Sequence, residues 1–331
     1  MITTLGLLSL AWAGQDALTF EVTRAVEHGK QVAEVTFLPI EGGRVVADLV
    51  CGDKAFHLDS TLSPGKPVKL QLAGLPEGEH SCTGEVDMQT TDGTTGSMVL
   101  TFQVASLGLL PLSTTIDEYD RANQRLVVHA GRPVEAAMAS VFGAKGALLA
   151  EVQADLSDPQ SLRFAWTTQG QPVVRVLVQA RDVYGFSSQL ELLPWEYLVP
   201  HEDVVFPSNS HELLAVELPK LERSWAEVAK AIELYGSVVP ISLYVAGYTD
   251  TVGDGASNQG LSERRARAIA QWYRTRGFSG PVYYQGFGET VLAVPTGDSV
   301  DEQANRRAVY LLAAGTPGKS RDVPRADWKR L

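Results

Sequence analysis

The sequence predicts a multidomain chain, with two small antiparallel β-sandwiches in tandem followed by an α/β domain whose mixed sheet carries helices on one side. Three observations predict it. From Leu18 to about Pro194, apolar and polar residues alternate in short runs, the pattern of strands that bury one face. After Pro200 the apolar spacing switches back and forth between strand and helix periods, as in a domain that alternates the two elements. Finally, the strand–turn–strand pattern of Val86 to Val104 returns in Val173 to Leu193. Each closes a block of roughly 90 residues, the size of a small sandwich.

In the first block Leu18, Phe20 and Val22 share a parity. So do Val45, Ala47, Leu49 and Cys51, then Val68, Leu70 and Leu72, then Cys82, Val86 and Met88, then Met98, Leu100, Phe102 and Val104. Turn residues separate the runs at Glu41-Gly42-Gly43, Ser63-Pro64-Gly65, Pro76-Glu77-Gly78 and Asp92-Gly93. The expected domains are 14–105 and 106–199, both immunoglobulin-like; one double-layered β domain is the alternative. Cys51 and Cys82 are the only cysteines and both have inward parity. An oxidising compartment would pair them and staple the first domain; two buried free thiols are the alternative. A membrane barrel over the same stretch is disfavoured by its short strands and sparse aromatics.

In the third region, 200–314, Val204 to Phe206 reads as a strand. Pro219 can open a helix whose apolar residues are Leu221, Trp225, Val228 and Ile232, and Gly236 can stop it. Ile241 to Val245 reads as a strand. Ser262 can cap a second helix that ends at Gly277. Two strands follow, Val282 to Gln285 and Ala308 to Leu312. The last stretch, 315–331, is basic and Pro-containing and is expected to be a disordered tail.

The formal net charge of −11 argues against a nucleic-acid binder, which presents a basic face. Residues 1–13, MITTLGLLSLAWA, have a short apolar run and a small-x-small site at Ala11–Ala13, but no Lys or Arg ahead of it. They are expected to be a signal peptide cut after Ala13; an apolar N-terminus on a cytosolic protein is the alternative. No further run has the roughly 18 apolar residues of a membrane helix, so no transmembrane segment is expected in the mature chain. No Cys/His cluster suits a metal, and no cofactor is expected.

The chemistry concentrates in four separated motifs: Gly247-Tyr248-Thr249-Asp250, Asn258 through Ala266 (NQGLSERRA), Gly286-Phe287-Gly288-Glu289 and Asn305-Arg306-Arg307. In order and spacing they resemble the OmpA C-terminal-like family of peptidoglycan-binding domains, over about 204–314. The resemblance implies a mixed sheet with helices on one side. It also implies binding of the diaminopimelate of peptidoglycan stem peptides without catalysis, in the periplasm of a Gram-negative envelope. Carried over by motif, the ligand residues are Asp250 and Arg265, flanked by Asn209, Thr249, Asn258 and Arg307. Tyr248 stands where the family often has His, and Pro207 where a polar residue is more usual.

The residue types suit that ligand. Its side chain carries an ammonium and a carboxylate, and so requires a fixed anion and a fixed cation a few ångströms apart. Asp250 is expected at a strand end and Arg265 in the first turn of the next helix, where a carboxylate meets both guanidinium and free helical N–H groups. Singly, Asp250 is equally a turn former and Arg265 a solvated helix charge, and the two could simply pair with each other. An enzyme would need a metal set, a Cys/His pair or two placed carboxylates; Asp250 and Glu289 are the only pair to propose. An adhesion or assembly role for the β domains, meeting an envelope protein partner, is a further alternative.

Overall fold

A computed structural model of the chain describes residues 8–12, 15–318 and 323–331. The expected cleavage site after Ala13 lies outside them. The chain divides into two compact units. The first takes the chain up to Pro111 with Ala130–Glu135 and Ala180–Ser188, and the second takes the remainder.

Among the described residues up to Pro111 there are nine strands: β1 (Leu8–Trp12), β2 (Gln15–Val22), β3 (Ala25–Glu27), β4 (Ala33–Pro39), β5 (Gly43–Cys51), β6 (Lys54–Leu62), β7 (Val68–Leu72), β8 (Gly78–Thr90) and β9 (Thr95–Leu107). They form two sheets, ordered β1-β2-β4-β7 and β3-β9-β8-β5-β6. Phe20, Val35, Phe37 and Leu72 of one sheet share a buried core with Val45, Leu49, Val86 and Leu100 of the other, so the alternation read from sequence closes a sandwich. Cys51 and Cys82 form a disulfide inside this core. They are register partners on neighbouring strands of a single sheet, so the bridge ties β5 to β8 and does not join the two sheets.

Among the described residues eight further strands follow: β10 (Leu112–Ser113), β11 (Tyr119–Asp120), β12 (Arg125–Ala130), β13 (Val134–Phe142), β14 (Leu148–Gln153), β15 (Ser161–Ala165), β16 (Arg175–Asp182) and β17 (Ser187–Leu192). One sheet has β12 pairing β10, β11 and β15, and the other runs β14-β13-β16-β17. Leu126, Val128, Leu162 and Phe164 are buried in the first, and Ala139, Val141, Val176 and Val178 in the second.

The last region is a five-stranded mixed sheet, in the order β18-β21-β19-β20-β22, with two helices. In chain order its elements are β18 (Glu196–Leu198), α1 (Leu218–Tyr235), β19 (Ser242–Gly247), α2 (Gly255–Arg276), β20 (Val282–Gly286), β21 (Ala308–Ala313) and β22 (Lys329–Arg330). β19 and β20 are parallel, and the other pairs are antiparallel. Leu221 and Val228 of α1, with Ala266, Ile269 and Tyr273 of α2, pack on Leu243, Val245, Val282 and Tyr310 of the sheet. Pro219 and Gly236 open and close α1 as expected, and Gly277 ends α2 in the left-handed region.

Three expectations are corrected. Val204–Phe206 is not a strand, because the Val205 N–H donates to the Glu217 carboxylate at 2.8 Å and not to a neighbouring strand. Helix α2 begins before Ser262, capped by Asp254, whose carboxylate accepts the Ser257 N–H. The tail is ordered over 323–331. Val323 and Trp328 pack on Tyr244, Tyr248 and Phe287, on the sheet face opposite the helices, and β22 adds an edge to β20.

Candidate functional site

The site is built where β19 and β20 end. Their last residues, Gly247 and Gly286, are register partners, and α2 presses on both. A Cβ on Gly247 would lie 2.3 Å from the Ser262 carbonyl oxygen, and one on Gly286 2.4 Å from the Glu263 nitrogen. Glycine at both positions therefore sets the helix-to-sheet distance. Ser262 locks that approach: its Oγ accepts the Gly288 N–H and donates to the Gln259 carbonyl, each at 2.9 Å. Arg265 follows three residues later on the same helix.

Asp250 leaves the end of β19 and is buried. Its Oδ2 accepts from Arg306 Nη1 at 2.5 Å, while its Oδ1 is approached, among the described residues, only by the Val252 N–H at 3.4 Å. The partner of Asp250 is thus Arg306 and not Arg265. Arg306 is also paired with Asp301 through the same nitrogen and donates from Nη2 to Gln303 at 2.6 Å. Hydrogen bonds to Asp301 and then Asp250 raise its pKa.

Arg265 is held differently. Its Nε donates to the Ser210 carbonyl at 2.9 Å and its Nη2 to the Pro207 carbonyl at 3.3 Å, and its guanidinium lies 5.2 Å from the Phe206 ring centre. No carboxylate forms an ion pair with it among the described residues. Burial pulls its pKa down, and the charge of Asp250 opposes that, so the two groups are in electrostatic range. Arg265 sits in the third turn of α2, roughly 15 Å along the axis from Gly255 at 1.5 Å per residue. The free N–H groups of the helix start therefore do not assist it, contrary to the sequence reading.

The flanking residues divide by role. Thr249 is buried; its N–H donates to the Gly288 carbonyl at 2.9 Å and its Oγ1 has no hydrogen-bond partner among the described residues. Asn258 turns to Glu289 at 2.6 Å and to the Val252 carbonyl at 3.2 Å, fastening the loop that bears Asp250. Arg307 stacks 4.1 Å from the Tyr248 ring centre, donates from Nη1 to the Val291 carbonyl at 3.2 Å and keeps a buried Nη2 without a partner among the described residues. Asn209 is exposed with φ 55°, in the turn whose flanking carbonyls hold Arg265. Arg265, Arg306 and Arg307 line one small cavity with Phe206, Tyr248 and Gln303.

Sequence reasoning missed Arg306, Asp301, Gln303 and the Phe206 platform. The Asn305-Arg306-Arg307 motif flagged the segment but not which arginine meets Asp250. Asn305 is fully buried and bridges to Val294 at 2.9 Å in both directions, which fixes where the two arginines emerge. Among the described residues, no group of three or more His, Cys, Asp or Glu side chains could hold a metal ion. No helix among them is long and apolar enough to cross a membrane.

The family-model match falls in this region. Residues 205–306 match the model of the OmpA family. Outer membrane protein A of Escherichia fergusonii is 32% identical over 108 residues, which is 32% of this chain and 42% of that protein. Outer membrane protein A of Citrobacter freundii is 28% identical over 155 residues, covering 46% of this chain and 58% of that one. This chain therefore spans about half the length of these relatives or less. Among solved structures, the OmpA-like domain of FopA1 from Francisella tularensis aligns at 18% identity and a TM-score of 0.26, covering 45% of this chain and 79% of that one. Residues 205–306 are an OmpA-family domain within a longer chain.

Proposed function

We propose that the chain is a non-catalytic anchor of the bacterial cell envelope, whose OmpA-family domain grips the diaminopimelate of peptidoglycan stem peptides. The observation that carries this reading is the state of Arg265. Its guanidinium is half-buried, fixed by two neutral carbonyls and an aromatic ring, and not neutralised by a carboxylate. Such a group is poised for an anion, since planar guanidinium matches a carboxylate through two parallel hydrogen bonds. The under-used Oδ1 of Asp250 stands within electrostatic range to accept the ligand ammonium. Thr249 Oγ1 and Arg307 Nη2, both buried and without partners among the described residues, are further groups a ligand would satisfy. Asn258 acts in this reading through the Asp250 loop, and Asn209 at the rim.

The strand-rich regions 14–105 and 106–199 are, in the same reading, tandem immunoglobulin-like modules. They serve as a spacer or as an arm for an envelope protein partner, with residues 1–13 as the export signal, so that the mature sandwich begins at β2, and the periplasm as the location. Single-site affinity is modest, because charged pairs near the surface contribute little and binding has an entropic cost. Many equivalent stems on one polymer make attachment durable by rebinding. The test is co-sedimentation of the full chain with purified sacculi. Asp250→Ala and Arg265→Ala are expected to leave the protein in the supernatant while its far-UV circular dichroism stays native. Wild-type-like pelleting of both variants removes the pocket from the argument.

A further inference from the structure

We propose that Arg306 is a built-in competitor for the ligand ammonium, pairing with Asp250 and moving onto Asp301 and Gln303 when ligand arrives. The inference rests on the reading of the site given above and deepens it by adding a residue that tunes affinity.

Four observations carry it. The only ion-pair partner of Asp250 among the described residues is Arg306, at 2.5 Å, so a cation already sits where the ligand cation is expected. An ammonium placed on Oδ1 while Arg306 stays on Oδ2 would bring two positive charges to one carboxylate, and like charges at such range oppose each other. Arg306 has a second set of acceptors already in hand. Asp301 shares its Nη1, and Gln303 Oε1 takes Nη2 at 2.6 Å. Of the two carboxylates, Asp301 is the exposed one, with its side chain 77% accessible, whereas that of Asp250 is 9% accessible. Letting go of Asp250 therefore leaves the guanidinium paired, solvated and on the rim, and frees the buried carboxylate for the ligand.

Arg265 differs in having no carboxylate to give up, so the carboxylate half of the ligand meets no resident competitor. The arrangement thus places a threshold on the ammonium half only. An anion lacking an ammonium does not need to move Arg306 at all.

The experiment is isothermal titration of the full chain with a diaminopimelate-containing stem peptide and with the same peptide acetylated on the diaminopimelate side-chain amine. Arg306→Gln removes the competitor and is expected to tighten the free-amine peptide roughly two- to fivefold, the range of a part-exposed ion pair, without tightening the acetylated one. Asp301→Asn removes the negative charge of the alternative partner, biases Arg306 towards Asp250 and is expected to weaken the free-amine peptide by a similar factor. Asp301 is exposed, so this second variant keeps the test open if Arg306→Gln disturbs folding. Weaker binding in Arg306→Gln, or an Asp301→Asn variant that binds like wild type, overturns the proposal and makes Arg306 a support for Asp250. Absence of wild-type binding to the free-amine peptide defeats the anchor reading itself, and this inference with it. Binding by wild type and its loss in Asp250→Ala leave that reading standing whichever way Arg306→Gln goes.

Discussion

Replacing Arg265 by lysine keeps the charge and removes the geometry, which isolates what the guanidinium contributes. The guanidinium donates hydrogen bonds to the Ser210 and Pro207 carbonyls at 2.9 and 3.3 Å and faces Phe206. A hydrogen bond to a charged group contributes about 1.5–3 kcal/mol. The longer contact lies at the weak end of that range or below it, and lysine can still reach one carbonyl. The expected loss of fold stability is then about 1 kcal/mol from the missing bond, with roughly 0.5 kcal/mol more from the weakened ring contact. The loss in binding is larger. A single ammonium cannot hold both oxygens of a carboxylate while also holding the 207–210 turn, so one charge-assisted hydrogen bond to ligand disappears. At about 1.4 kcal/mol per factor of ten, that is a ten- to hundredfold weaker complex. The assay is titration of the full chain with diaminopimelate-type and lysine-type stem peptides, alongside urea denaturation. Arg265→Lys should lose its preference for the diaminopimelate peptide and bind the two nearly alike. If it keeps wild-type affinity and preference, a bidentate clamp is not how the carboxylate is read.

Two further outcomes follow from the fold. Replacing Cys51 and Cys82 together by alanine opens a loop of 31 residues in sequence separation, and chain entropy for that length gives a loss of about 3–4 kcal/mol; urea denaturation followed by circular dichroism checks it, and a loss under about 1 kcal/mol contradicts the entropic account. Gly286→Ala should lower stability by about 1–3 kcal/mol through overpacking and weaken stem-peptide binding as well, because the added Cβ meets the backbone of Glu263 two residues before Arg265; thermal denaturation and titration read the two effects separately.

The strands and most helix boundaries were legible because single residues enforce them. Leu18, Phe20 and Val22 alternate because β2 has one buried face, and Pro219, Gly236 and Gly277 punctuate the helices by their backbone chemistry alone. The start of α2 was not legible from periodicity. Its first turns, Gly255 to Gly260, carry almost no apolar stripe, so the helical pattern begins only at Leu261. The true cap, Asp254, competes in sequence with Ser262, an equally good capping residue. The ordering of 323–331 was hidden for the opposite reason. Trp328 sits in a basic, Pro-containing stretch, and only the fold shows that Tyr244 and Phe287 leave an aromatic surface for it to cover. Val204 to Phe206 has a strand's composition, yet Glu217 takes the Val205 N–H that would have joined a sheet.

The pairing of charges was the least legible feature, and the reason is physical. Asp250, Arg265 and Arg307 were visible as candidates and Arg306 only as part of a motif, but which cation meets which anion depends on where the segments bearing them emerge from the sheet. Asn305 decides it for the last of them: buried and bridged to Val294, it sends Arg306 towards Asp250 and Arg307 onto Tyr248. The consequence is a division of labour. Arg306 is neutralised by carboxylates, and Arg307 is screened by a ring. Arg265 is solvated by carbonyls that accept its hydrogen bonds without cancelling its charge. A cation held by neutral acceptors keeps its field for whatever enters the site, whereas one held by carboxylates does not. It is therefore the backbone of the 207–210 turn, as much as any charged side chain, that keeps Arg265 ready for an anion.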